Sequence, residues 1–272
     1  MDGRIVHNMP SAEYHAAPGW SSSAIRAGPT LAHAHEQLTH PRVDTNALRF
    51  GRALHCAILE PLAFLERVGI APDVDRRTKD GKAAWAAFEA AAAGRDHLTV
   101  DEKADADGMV KSVHAHRIAG PMVRREDGRA EVSVFWTDKD AGEKCRARID
   151  WLVPGVVVDI KTTTDAGPEA FAREAWGYGY FRQLAWYIDG ITDATGQPHT
   201  GAIVAVEKSA PYVAAVYMVP DDAMDIARAE NRLALRRLVK ATRENVWPGY
   251  ENLTDLYPPE WAIKRHERTA IQ

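Results

Sequence analysis

The stretch Arg146–Lys161, RARIDWLVPGVVVDIK, carries both the strongest structural signal in the chain and its most unusual charges. Both halves are rich in Val, Ile, Leu and Trp, and Pro154-Gly155 between them is a turn signal, so the segment reads as a β-hairpin. With the turn centred on those two residues, positions whose numbers sum to 309 face each other, which sets Asp150 opposite Asp159. Cβ atoms of such facing pairs lie about 4.5 to 5.5 Å apart. Lys161 is two residues past Asp159, so alternation sends it to the same face, while Val156, Val158 and Ile160 take the other. A three-residue turn would slip this register by one.

Facing like charges destabilise a sheet, so the two aspartates call for a positive partner between them. A divalent metal with oxygen ligands is the economical one: Mg²⁺ suits one or two carboxylates, waters and a substrate phosphate, and a nearby ammonium can hold a water. The competing reading is a solvated hairpin with an Asp–Lys surface pair, which is the better one for an arbitrary D-x-K tripeptide. Here the pair sits at the end of VVVDIK, a run that otherwise reads as buried strand.

Composition bounds the remaining options. With 272 residues and 46% hydrophobic content, the chain can bury a substantial core as one elaborated domain or as a core with a helical accessory region. Two cysteines, Cys56 and Cys145, supply neither a disulfide framework nor the four ligands of a usual iron-sulfur or structural zinc site, which fits a reducing cytoplasm. No apolar run approaches membrane-spanning length, and MDGRIVHNMP has no signal-peptide core. A net charge of −4 argues against a generally basic nucleic-acid coat protein but leaves room for a locally positive channel.

The chain reads as α-rich, then β-rich, then α again. Residues 1–45, with Pro10, Pro18, Pro29, Pro41 and Ser21–Ser23, read as short helices and loops, Ser22 or Ser23 capping a brief helix. The domain proper is expected over 46–250, with a helical part over 46–128, a sheet core over 129–219 and a long helix over 221–246; 251–272 reads as a tail. Within it, Leu48, Gly51, Leu54, His55, Ile58 and Leu59 follow a helical period that Pro61 ends or kinks. The segment 76–94 reads as a basic loop that becomes an Ala-rich helix ended by Gly94, and further helices are predicted over 100–118 and 168–188. Strands are predicted over 129–137, 143–152, 156–162, 200–207 and 212–219.

Three features outside the hairpin can complete a metal site. His55 follows Gly51 by four residues on the apolar side of its helix, where a small residue allows close packing against the sheet; a lone His there is more often a hydrogen-bonded core residue. Glu131 opens the strand EVSVFW, with Ser133 and Phe135 on its own face, and read alone is a strand-edge charge. Gln183 and Tyr187, four apart, share a helix face, as do the polar tips of many amphipathic helices.

Taken together, Gly51-x-x-x-His55, Glu131, Asp150, Asp159-x-Lys161 and Gln183-x-x-x-Tyr187 resemble the PD-(D/E)xK nuclease superfamily, in its RecB-like branch. RFGRALHCAILEP, DRRTKDGKAAWAAF, CRARIDWL, VVDIKTTTDA, VAVEKSAPY and WPGY further resemble the C-terminal nuclease domain of phage-type, RecE-like exodeoxyribonuclease VIII. The resemblance implies an α/β fold (α+β): a central mixed β-sheet flanked by helices, a restriction-endonuclease-like core with an N-terminal helical region. It also implies hydrolysis of DNA phosphodiesters with one or two Mg²⁺ or Mn²⁺ ions. By the same likeness Asp150, Asp159, the backbone carbonyl of Ile160 and His55 are metal ligands. Glu131 sits beside the metals, through water or at a second ion. Lys161 orients or deprotonates the attacking water and stabilises developing charge. Gln183 and Tyr187 support Lys161 and the scissile phosphate. The acidic residue before the lysine is Asp where the wider superfamily often has Glu; RecB-like members commonly carry Asp.

The resemblance further implies a 5′ to 3′ exonuclease on linear double-stranded DNA, a ring-shaped homo-oligomer, a single-strand annealing protein as partner, and a role in phage-type recombination in a bacterial cytoplasm. Relatives with a long, dispensable N-terminal region contrast with this chain, which reads as the nuclease core. Arg76, Arg77, Lys79 and Lys82 form one candidate phosphate-contacting loop and Arg228 to Arg243 another, though such a set is more often just a solvated face. Two alternatives remain: a helicase-associated, RecB-like nuclease acting on single strands, against which two cysteines count, and a catalytically silent DNA-binding module with the nuclease fold.

Overall fold

From its N-terminus the chain forms β1 (Arg4–Val6), α1 (Ser11–Ala16), β2 (Trp20–Ser21), α2 (Ser22–Ile25) and α3 (Leu31–Thr39). Next come α4 (Asn46–Leu59), α5 (Phe64–Arg67), β3 (Val68–Ile70), α6 (Lys79–Ala91), β4 (Asp96–Leu98), α7 (Val100–Ala115) and α8 (Ala119–Val123). The sheet core follows with β5 (Arg129–Thr137), β6 (Lys144–Val153) and β7 (Val156–Thr163), then α9 (Pro168–Gly177) and α10 (Tyr180–Thr195). The chain closes with β8 (Thr200–Glu207), β9 (Ala214–Met218), α11 (Asp221–Glu244) and α12 (Glu260–Thr269). This computed structural model describes residues 3–40 and 43–269, so Pro41 lies outside the described residues.

The helix starts follow local chemistry. Thr30, Thr45, Thr78 and Thr99 each turn a side-chain oxygen to a backbone N–H of the first turn of α3, α4, α6 and α7, and Thr99 with Glu102 completes a capping box. At α2 the cap is Ser21, one residue before the expected Ser22 or Ser23. The helix expected over 168–188 is two helices, because Gly179 takes a left-handed conformation (φ 70°) and restarts the chain as α10. The segment over 1–45, expected as helices and loops, also contributes two strands too short to leave a periodic signal.

One mixed sheet organises the molecule in the order β1-β5-β6-β7-β8-β9, with β2 lying parallel to the start of β6. β5, β6 and β7 are antiparallel neighbours, α9 and α10 carry the chain over to β8 parallel to β7, and β9 returns antiparallel. β3 and β4 pair separately as a small parallel sheet within the helical region. Helices cover both faces. α10 and α11 pack on one through Leu184, Ile188, Ile191, Leu235 and Leu238, and α4 and α7 on the other through Leu54, Ile58, Met109 and Val113. Such fully buried side chains each stabilise the fold by about 1.5–3 kcal/mol. α10 lies so close to the sheet that a Cβ on Gly190 would come within 2.6 Å of the Trp136 ring. No described helix is long and apolar enough to cross a membrane.

Candidate active site

The hairpin register is the one read from the turn. β6 and β7 pair Val153 with Val156, Leu152 with Val157 and Trp151 with Val158, all summing to 309. The next positions out are Asp150 and Asp159, and there the ladder stops. The Ile160 N–H instead donates to Asp150 Oδ2 at 3.1 Å, a side chain standing in for a strand carbonyl. Across the other edge of β6, Ala130 pairs with Trp151 and Val132 with Ile149, which puts Glu131 opposite Asp150 with no ladder pairing between them. Three carboxylates therefore occupy one row across three adjacent strands.

Along that row the alternation reverses on β5 and β6, while β7 keeps its own, with Val158 and Ile160 on one face and Val157 on the other. Ala130 packs towards the α4–α7 core but Val132 towards the α10–α11 core, and Trp151 and Ile149 divide in the same way. The cause on β5 is Glu131 itself, held at φ 51° in the left-handed region. That conformation costs a non-glycine residue on the order of 1–3 kcal/mol and concentrates at functional positions. The plain alternation on β5 and β6 is thereby corrected: Asp150 and Asp159 keep their register and stay close enough for their charges to act on each other, but contact different flanking helices. Asp150 turns to α4, with Oδ2 3.6 Å from His55 Nδ1. Asp159 stays on the α10 side, accepting from Gln183 Nε2 at 3.2 Å, with Oδ2 2.5 Å from Lys161 Nζ. Glu131 likewise leaves the plain alternation with Ser133 and Phe135 on which it was read.

His55, Glu131 and Asp150 bring one ligand atom each within 4.8 Å of one another. His55 Nε2 donates to the Ile160 carbonyl at 3.0 Å, so these two expected ligands stand where a cation can replace the proton between them. Gly51 does not lie close against the sheet, since a Cβ there would meet nothing within 4 Å; it leaves the helix surface open one turn from His55. Burial above all pushes the Asp150 carboxyl up to about 6, with Asp159 and Glu131 adding to the rise and His55 and Lys161 opposing it. Asp159 is fully buried, and its Oδ2 has the Lys161 ammonium 2.5 Å away as its charge partner. Buried carboxylates, an imidazole and a backbone carbonyl make a largely hard, oxygen-rich set that fits Mg²⁺ or Mn²⁺.

A chain of α10 contacts holds this arrangement. Gln183 Nε2 donates both to Asp159 and, at 2.8 Å, to the Tyr187 hydroxyl, while its Oε1 accepts from Arg26 at 3.3 Å. Burial first, and then the negative Asp150 and Asp159, push the Tyr187 phenol well above its ordinary range, which keeps it a neutral partner. Three neighbours were not singled out from the sequence. Arg148 forms an ion pair with Glu131 and donates to the Met9 carbonyl at 3.0 Å. Tyr180 lays its ring 5.0 Å from Lys161 Nζ. Arg26 ties α2 to α10. The Arg148 signal was legible, because R-x-R-x-D puts it two residues from Asp150; Arg26 and Tyr180 gave no local sign.

A model of a PDDEXK-like domain of unknown function (DUF3799) matches residues 22–256. The chain belongs to that family. The crystal structure of a "putative exonuclease" from Eubacterium rectale is similar in fold, with a TM-score of 0.61 at 15% identity over 95% of this chain and 98% of that one. SSO0001 aligns over 85% of this chain and 98% of its own at 16% identity, with a TM-score of 0.30. No curated protein matches. The mixed sheet flanked by helices is thus the PD-(D/E)xK nuclease fold that the motif set implied.

Within this PD-(D/E)xK chain the candidate DNA contacts outside the sheet lie around α6 and along α11. Arg76, Arg77, Lys79 and Lys82 are exposed around the start of α6, but Arg77 is paired with Asp75 at 3.0 Å and Arg76 stacks over Trp85 at 4.1 Å. On α11, Arg228 is paired with Asp189 and Asp225, and Arg243 with Glu143. Cys56 and Cys145 are buried free thiols.

Proposed function

We propose that the protein is a divalent-metal-dependent exodeoxyribonuclease that hydrolyses phosphodiester bonds at the ends of linear duplex DNA. The observation that carries this reading is the row Glu131, Asp150 and Asp159 across three strands, with Lys161 against Asp159 and His55 against Asp150. His55, Asp150, Asp159, Glu131 and the Ile160 carbonyl are the groups that would hold one or two Mg²⁺ or Mn²⁺ ions. Such an ion supplies Lewis-acid polarisation of the phosphate and its attacking water. Lys161 orients that water and stabilises charge developing on the phosphate oxygens. Gln183 fixes Asp159, Tyr187 fixes Gln183, and the Ile160 N–H fixes Asp150.

The finer attributes rest on likeness to RecE-like nucleases. These are 5′ to 3′ polarity, a ring-shaped homo-oligomer that encircles DNA, an annealing protein that coats the exposed strand, and a recombination role in a bacterial cytoplasm. The test is digestion, with Mg²⁺, of duplexes labelled separately at each 5′ and 3′ end, beside a closed circle. Linear DNA should be lost from the 5′ label inwards, the circle spared, and both Asp159→Ala and Lys161→Ala inert. Activity persisting in both variants overturns the site, and cutting of the circle overturns the exonuclease.

A further inference from the structure

The corner between α9 and α10, Trp176-Gly-Tyr-Gly-Tyr-Phe181, presents aromatic rings to solvent beside the lysine of the site. Trp176 is 49% exposed and Tyr178 66%, values that buried-core aromatics do not show. The rings of Tyr178 and Tyr180 stack with centroids 5.7 Å apart and 28° between planes, and Tyr180 in turn lies 5.0 Å from Lys161 Nζ. An aromatic run therefore leads from the lysine to the surface. Trp176 packs against Phe181 at 5.9 Å, and a cleft of about 150 Å³ opens between them, flanked by Arg26, Arg182 and Glu230.

The corner is held rigid. Arg26 donates from Nη1 to the carbonyls of Tyr178 and Gly179 at 2.7 and 3.1 Å. Gly179 sits at φ 70°, and a Cβ there would lie 3.1 Å from Arg26 Cδ. Beyond Gly177 a Cβ would meet nothing within 4 Å, so the approach is open. The carboxylates are recessed, Asp159 fully buried and Asp150 9% exposed, so a phosphate reaches them more readily on a strand that has left its duplex. A base released from the stack has a flat face to cover, and base–aromatic stacking beside cationic side chains is how single strands are commonly held.

We infer that the α9–α10 corner is a stacking platform for an unpaired base at a DNA strand end. The inference rests on the nuclease reading and extends it to the form of the substrate. The unpaired base comes either from single-stranded DNA or from the frayed end of a duplex, and the two are separate arms of the test. DNA carrying fluorescent aminopurine at its terminal nucleotide is bound by the full-length protein with Ca²⁺ in place of Mg²⁺. Quenching reports stacking, and anisotropy reports affinity.

Wild-type protein should quench the probe on single-stranded DNA, on a frayed duplex, or on both, the pattern naming the source. The double variant Trp176→Ala/Tyr178→Ala, checked for fold by circular dichroism, should lose the quenching and bind those ends about 5- to 100-fold more weakly. Tyr178→Phe, which keeps the ring, should retain both. Quenching and affinity unchanged in the double variant, or no quenching by wild type on either DNA, overturns the platform. Cutting without quenching leaves the nuclease reading standing and the platform refuted; quenching without metal-dependent cutting does the reverse.

Discussion

Asp150 shows how function and stability oppose each other at one side chain. Its carboxyl, ordinarily near 3.8, is held up to about 6 in the folded, metal-free chain. Between those values the folded state binds the proton more tightly than the unfolded one, so stability falls as pH rises through that window and the loss is complete above about 6. Asp150→Asn removes the buried charge and keeps an oxygen for the Ile160 N–H. Without metal at pH 7 it should raise stability by about 1–3 kcal/mol, read as a higher Tm, while losing the extra stabilisation that Mn²⁺ confers on wild type. Wild-type affinity for Mn²⁺ should in turn fall as pH drops below about 6, measured by calorimetric titration, because the ligand must shed a proton to bind. At Tyr187, whose hydroxyl accepts from Gln183, replacement by Phe should cost about 0.5–1.5 kcal/mol in urea unfolding.

At the scale of elements, the close seat of α10 on the sheet positions Gln183 and Tyr187 over Asp159. Gly190→Ala would drive a methyl into the Trp136 ring and should cost about 1–3 kcal/mol, with a matching loss of activity as the helix is displaced. The hairpin was legible because its turn is two residues long and its register is arithmetic. The face reversal was not, since nothing in EVSVFW marks Glu131 for a left-handed backbone. The break at Gly177 and Gly179 was written in WGYGYF but was overridden by the apolar period on either side.

For the whole molecule, the region before Asn46 is part of the architecture. β1 pairs with β5, β2 with β6, and Arg146 reaches the carbonyls of Tyr14 and His15 at 2.6 and 2.9 Å. Strands of two and three residues cannot declare themselves by alternation, and their partners are more than a hundred positions away, so only tertiary pairing defines them. Beyond Gly249 the chain is different: Tyr250, Leu253, Leu256, Tyr257 and Trp261 are all exposed. Truncation after Tyr250 should change stability by no more than about 0.5 kcal/mol. The PD-(D/E)xK motif was legible residue by residue, whereas the helix that each carboxylate contacts needed the three-dimensional chain.

The decisive measurement is anomalous diffraction from crystals soaked in Mn²⁺, for wild type and Asp150→Asn. Wild type should show a peak bounded by His55, Asp150, Asp159 and the Ile160 carbonyl, and Asp150→Asn should show none. A peak elsewhere, or one that survives the substitution, contradicts a metal centre at these residues.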